Sequence, residues 1–284
     1  MNIAALKRLP IRAMGRIAPN ALRYLAHRNP IARGRWPMFD AILADPKCRD
    51  WLASLENPTR TRRGFRLYTL PGDFTSDWIK LHGQHETGTE RFIMDHLIPG
   101  CVFLDIGANI GYFSILAALA GGSTVIAFEP QWQIADLLRL SVAHNRAGEQ
   151  IRVECIALSD TPGTMRMTSC PGNTGHAQLV QADGAGLQSP PVKVVVLDDW
   201  LRAHPVGRVS VCKIDTEGAE ARVLRGMAEL LKRDHPAIVI EVIDEFLGEY
   251  GSSSAEILRM LAGQGYRDVS SQYTFHSDRN RYFS

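Results

Sequence analysis

From residue 101 to 242, short apolar runs rich in β-branched residues alternate with segments whose apolar residues return every three or four positions. That alternation limits the possible folds more than any other feature. Residues 101–106 read as a strand, 112–120 as a helix, 124–128 as a strand, 134–145 as a helix and 151–158 as a strand. Such a succession closes most simply as parallel β-α-β units, so an α/β sheet with helices on both faces is expected. A helix over 87–97, ending at Pro99-Gly100, precedes the first strand. Strands at 164–168 and 192–197 flank a Gly-, Pro- and Ser-rich loop over 169–191, of a length that is often functional. Strand 209–214, helix 221–231, strand 237–242, helix 255–262 and strand signals at 266–269 and 273–275 complete the pattern, without an internal repeat.

With 45% apolar and 22% charged residues among 284, the chain can bury a substantial core, and its formal net charge of +2 argues against bulk nucleic-acid binding. The charge is unevenly spread. No acid precedes Asp40, whereas eight basic residues from Lys7 to Arg35 do. They are interleaved with apolar residues at helical spacing and interrupted by Pro10 and Pro19, giving a broken amphipathic helix. A solvated helix docked on its own domain, or one presenting partner contacts, is preferred over peripheral contact with an anionic membrane. The expected division is a helical extension over 1–80 and a catalytic domain over 81–284. The five cysteines lie apart with no C-x-x-C pair and read as buried, reduced thiols. With no bilayer-spanning apolar run and no signal-peptide pattern, a cytoplasmic protein is expected.

The first strand runs into Asp105-Ile106-Gly107-Ala108-Asn109-Ile110-Gly111, a glycine-containing turn opening a helix, where a ligand can approach the backbone. Asn109 stands where a dinucleotide turn wants its second glycine, and Gly111 comes one position early, so the usual pyrophosphate cradle is missing. The second strand ends in Phe128-Glu129-Pro130, placing an acid to accept from ribose hydroxyls. The third ends in Ser159-Asp160, whose carboxylate could accept from an adenine amino group. A nucleoside crevice without a phosphate cradle suits S-adenosylmethionine, with its cationic amino-acid end near Asp105 and Gly107.

At this point the chain resembles the FkbM-type methyltransferases. The residues that carry the resemblance are VFLDIGANIGYFSILAA, the FEP and ALSD strand ends, VKVVVLDDWL, and above all KIDTEGAE followed by IVIEV. The resemblance spans roughly residue 85 to the last strands. It implies a class I methyltransferase, Rossmann-like fold with a mostly parallel seven-stranded sheet, S-adenosylmethionine as donor, and O-methylation of sugars, glycolipids or natural-product intermediates. It also implies that Glu86, Asp105, Gly107, Asn109, Gly111, Glu129 and Asp160 contact the cofactor and that Asp215 and Glu217 are the active-site acids. Asn173 and Gly175 partly match a family loop over the active site.

The stretch VSVCKIDTEGAE brings Asp215, Glu217 and Glu220 together just beyond a buried strand, in the crevice where ligands of parallel sheets meet. A hydroxyl acceptor needs its proton removed, and crowded acids raise one another's pKa, which lets one serve as base. Two alternatives stay open. Asp215, Glu217 and Glu241 could share a divalent metal that acidifies the hydroxyl, or Glu217 and Glu220 could simply favour a helix N-terminus, the preferred reading for Glu220. His176, in the flexible loop, is the histidine to test as base, ahead of His82 and His85. The expected function is therefore O-methylation of a small-molecule or glycan acceptor. N- or carboxyl methylation of a peptide or metabolite, or a non-catalytic adenosyl-binding module, are the alternatives.

Overall fold

The computed structural model describes residues 46–168, 170, 172–181, 189–273 and 279–284. The basic helical extension expected before residue 40, and part of the strand expected at 273–275, lie outside the described residues.

The elements follow in chain order: α1 (Pro46–Ser54), β1 (Thr59–Arg60), β2 (Arg66–Leu67), α2 (Phe74–His82), α3 (Thr87–His96), β3 (Val102–Ile106), α4 (Tyr112–Gly121), β4 (Thr124–Phe128), α5 (Trp132–His144) and β5 (Ile151–Glu154). Then come β6 (Ala157–Leu158), β7 (Gly163–Met167), a 3-10 turn (Thr174–His176), β8 (Leu179–Gln181), β9 (Val192–Val195), α6 (Leu197–Ala203), β10 (Val209–Ile214), α7 (Glu220–Arg225), α8 (Ala228–Asp234), β11 (Ala237–Glu241), α9 (Asp244–Glu249), α10 (Ser254–Gly263) and β12 (Asn280–Phe283).

The main sheet has the order β12-β11-β10-β3-β4-β5, parallel except for β12, so six strands of the expected mostly parallel sheet lie among the described residues. All five residues of β3 are buried, as are all six of β10, because helices cover both faces. Successive residues serve opposite cores: Phe103 packs with Phe92, Ile115 and Leu138 on one side, Leu104 with Leu224, Ile238 and Leu261 on the other. Among the described residues no helix is long and apolar enough to cross a membrane. Cys101, Cys155, Cys170 and Cys212 are free thiols, of which only Cys212 is fully buried.

Three differences from the expected pattern have local causes. The strand expected over 151–158 divides at Cys155-Ile156: β5 stays in the main sheet, while β6 joins a second sheet of order β6-β9-β7-β8. The helix expected over 221–231 divides at Gly226, where a Cβ would lie 2.3 Å from the Ser159 carbonyl oxygen. The chain restarts as α8 because the Asp198 carboxylate accepts from the N–H groups of Glu229 (2.8 Å) and Leu230 (3.0 Å). The signal at 266–269 yields one bridge, Asp268 to Phe283, and the edge strand is β12, antiparallel to β11.

The expected boundary at residue 80 falls inside α2. Asp73 caps this helix by accepting from the Ser76 N–H at 3.0 Å, and Gly83 ends it at φ 67°. Its inner face carries the fully buried Ile79 and Leu81, so the segment belongs to the same packed body as the sheet.

Candidate active site

A cavity of about 730 Å³ opens at the C-terminal edge of β3, β4, β10 and β11, where a parallel sheet leaves its ligand crevice. Its floor is the turn after β3. Gly107 there has φ +77°, and a Cβ would fall 1.7 Å from the Asp215 carbonyl oxygen, so only glycine lets the ends of β3 and β10 come this close. Asn109 also takes a left-handed conformation, φ 49°. Its N–H donates to Glu129 Oε2 at 2.9 Å, and the Gln131 N–H donates to Oε1 at 2.9 Å. Burial pushes the Glu129 carboxyl up to about 7 even though both of these N–H groups pull it down.

Beside the floor stand Asp215 and Lys213 on β10 and its exit. Lys213 is 4% exposed, and its Nζ donates to Asp215 Oδ2 at 2.9 Å and to the Gly107 carbonyl at 3.2 Å. Burial by itself would lower this ammonium, but Asp215, Asp105 and Glu86 outweigh it and raise it. The Asp215, Glu217 and Glu241 carboxylates converge, with one oxygen from each lying within 4.8 Å of the others. Burial, then Asp215 and Glu220, push Glu217 up to about 9; burial, then Asp215 and Glu217, push Glu241 up to about 10. Glu217 sits at φ 54°. Glu220 does not line the cavity; it accepts from the Thr216 N–H (2.8 Å), Thr216 Oγ1 (3.0 Å) and the Gly218 N–H (3.0 Å), so it shapes the turn after β10.

Among the residues singled out in the sequence, Glu86, Gly107, Asn109, Glu129, Asn173, Gly175, His176, Asp215, Glu217 and Glu241 line this cavity. Three residues expected to contact the cofactor do not line the cavity. Asp105 is wholly buried beneath the floor, where it accepts from Ser114 Oγ at 2.6 Å and lies 4.0 Å from Lys213. Asp160 is turned outward by Arg225, whose Nε donates to it at 2.8 Å. Gly111 serves packing, since a Cβ there would lie 2.0 Å from Leu138 Cδ1. Of the weaker histidines, His85 lines the cavity and His82 is buried in α2.

His176 sits on the 3-10 turn, with its ring 5.5 Å from that of Phe246. Burial lowers its pKa, and the Arg279 guanidinium lowers it further against the pull of Asp215. Glu86 precedes α3 at φ 34° and is held by Asn280 Nδ2 at 2.9 Å. Sequence reasoning missed Lys213, Arg279, Asn280, and Phe74 and Trp78 on α2, all of which line the cavity. Lys213 did leave a signal: a lysine inside an apolar strand must be paired to be buried. The α2 residues left none, because a nine-residue helix carries too short a pattern.

Residues 105–267 match the model of the methyltransferase FkbM domain. The chain is 31% identical over 223 residues to the 31-O-demethyl-FK506 methyltransferase FkbM of Streptomyces tacrolimicus, covering 66% of this chain and 82% of that protein. It is 24% identical over 200 residues to the hexuronic acid methyltransferase AglP of Haloferax volcanii, covering 68% and 80%. The crystal structure of a methyltransferase FkbM from Methylobacillus flagellatus superposes with a TM-score of 0.43 and 15% identity, over 93% of this chain and 58% of that one. With a family match over more than half of its length and a 31% identical relative covered over 82% of its own length, the chain belongs to the FkbM methyltransferase family.

Proposed function

We propose that the protein transfers a methyl group from S-adenosylmethionine to a hydroxyl of a small-molecule or glycan acceptor. The observation that carries this reading is the placement of Asp215, supported by Lys213, in the same cavity as the Gly107–Asn109 turn and Glu129. The cavity fits the donor on chemical grounds. Each Glu129 oxygen takes one backbone N–H, and a carboxylate offers about four acceptor sites, so capacity remains for two ribose hydroxyls. Glu86 supplies a carboxylate for the donor's ammonium. The bound donor supplies an electrophilic methyl carbon.

The chain's own groups do the rest. Asp215 accepts the proton of the acceptor hydroxyl, and the Lys213 ammonium fixes its orientation. Glu217 and Glu241, which hold their protons at neutral pH, donate hydrogen bonds to acceptor oxygens. Both relatives named above are methyltransferases, one of a hexuronic acid, which agrees with an oxygen-rich acceptor.

The convergence of Asp215, Glu217 and Glu241 favours a second reading of the same step, in which the three carboxylates hold a divalent cation that acidifies the hydroxyl. Chelator sensitivity relieved by Mg²⁺ or Mn²⁺ separates it from a carboxylate acting alone. The proposal is tested by calorimetric titration with S-adenosylmethionine and a screen of hydroxylated acceptors read by gain of one methylene. Asp215→Asn should lose turnover about 100-fold while keeping donor affinity. A chain that binds no donor, or an Asp215→Asn variant of near-normal rate, removes the reading.

A further inference from the structure

The 3-10 turn that carries His176 is held from two sides. Asp73, 2% exposed, accepts through Oδ1 from both the Thr174 N–H (2.8 Å) and Thr174 Oγ1 (2.7 Å). The neighbouring Phe74 N–H donates to the Gly172 carbonyl at 2.9 Å. From across the cavity, Gln131 Nε2 donates to the Thr174 carbonyl at 2.9 Å, and the Gln131 N–H donates to Glu129 at 2.9 Å. Thr174 thus joins α2, which walls one side of the cavity, to the strand end that carries Glu129.

Among the described residues the turn's other ties are few, chiefly the His176 ring 5.5 Å from that of Phe246. None of its three residues is buried, and its own backbone bonds are His176 N–H to Asn173 at 3.1 Å and Ala177 N–H to Thr174 at 3.3 Å. A short segment with few buried contacts takes its order from outside partners. Here those partners are Asp73, fixed by its cap on α2, and Gln131, fixed by its bond to Glu129.

We propose that Asp73 and Gln131 are positioning residues for methyl transfer: through Thr174 they set the turn bearing Asn173 and His176 over the cavity, and they make its order depend on donor bound at Glu129. The inference rests on Glu129 accepting the donor's ribose. A ribose on Glu129 fixes the carboxylate that Gln131 also holds. Hydrogen bonds in series reinforce one another, and ordering a shared partner couples two sites without any large movement. Asp73 lies outside the 105–267 match, so the segment before that match takes part in building the site.

The test needs no acceptor. Amide hydrogen exchange over 172–177 is followed on the full chain, with and without saturating S-adenosylhomocysteine. In the wild type the ligand should slow exchange there by about tenfold or more. Gln131→Ala, also at saturation, should lose that slowing. Thr174→Val, which removes only the hydroxyl bond to Asp73, should speed exchange in the free protein, and Thr174→Ser should restore it. A purely structural role would change exchange equally with and without ligand. Equal slowing in Gln131→Ala and wild type, or unchanged exchange in Thr174→Val, overturns the proposal. Wild-type binding without slowing at the turn overturns the coupling alone, whereas absence of binding brings down the donor reading beneath it.

Discussion

The Lys213 ammonium lies 2.9 Å from Asp215 Oδ2, and the same nitrogen is 4.0 Å from Asp105, so one buried cation steadies an acid that faces the cavity and another that never meets it. The register explains the sharing: Lys213 on β10 is the cross-strand partner of Asp105 on β3. Lys213→Met strands a fully buried Asp105 and should destabilise the fold by about 3–5 kcal/mol in urea unfolding. Adding Asp105→Asn should recover part of the loss, because the stranded charge is then gone. A cost below about 1 kcal/mol, the scale of an exposed ion pair, would mean that Lys213 is not the buried partner described.

Glu129 and Asp160 are both strand-end acids, yet only Glu129 lines the cavity. Glu129→Ala should weaken S-adenosylmethionine and S-adenosylhomocysteine alike by roughly 1.5–3 kcal/mol, the scale of hydrogen bonds to a charged group. Asp160→Ala should leave both affinities unchanged. Titration calorimetry on the pair decides, and a reversed order would overturn the placement of both acids.

The crowded acids set a pH dependence of stability. Glu217 and Glu241 titrate at about 9 and about 10 in the folded chain against 4.5 for the free side chain. Between these values the folded state binds more protons than the unfolded one. Their contribution is therefore full below about pH 4.5 and is lost as pH rises toward 9 and 10. The melting temperature should fall on going from neutral to alkaline pH, and Glu241→Gln should flatten that fall. Parallel wild-type and variant curves would show that the two carboxyls are not crowded in solution.

Gly107 and Gly100 share a left-handed backbone, φ +77° and +79°, but differ in surroundings. Gly100→Ala meets nothing within 4 Å and should cost only the conformational strain, about 1–2 kcal/mol. Gly107→Ala would drive its Cβ into the Asp215 carbonyl and should exceed about 4 kcal/mol or prevent folding. Chemical denaturation of the two variants checks the ranking, and similar costs would refute the close approach.

The sequence made the strands legible where both faces are buried: 102–106, 124–128, 209–214 and 237–241 needed only apolar runs between helical patterns. It also led to the acids whose side chains reach the cavity directly. It did not show that Asp160 lies off the cavity lining, because a strand end specifies the edge of the sheet but not the rotamer, and here Arg225 on α7 pairs with it. Nor did it show that Asp105 lies off the cavity lining, since the side chain alternates toward Ser114. Phe74, Trp78, Arg279 and Asn280 were invisible because they reach the cavity from segments remote in sequence.

The cavity's floor and its walls come from different lengths of chain. Gly107, Glu129, Lys213 and Asp215 fall within 105–267, whereas Phe74, Trp78, Glu86, Arg279 and Asn280 fall outside it. Because the ends of β3 and β10 meet at Gly107, the floor tolerates almost no change there, while the walls rest on the short elements α2 and β12 and the segments beside them. Insertion, loss or recombination on either side of residues 105–267 can therefore remodel the cavity's walls and leave intact the part that is too tightly joined to vary.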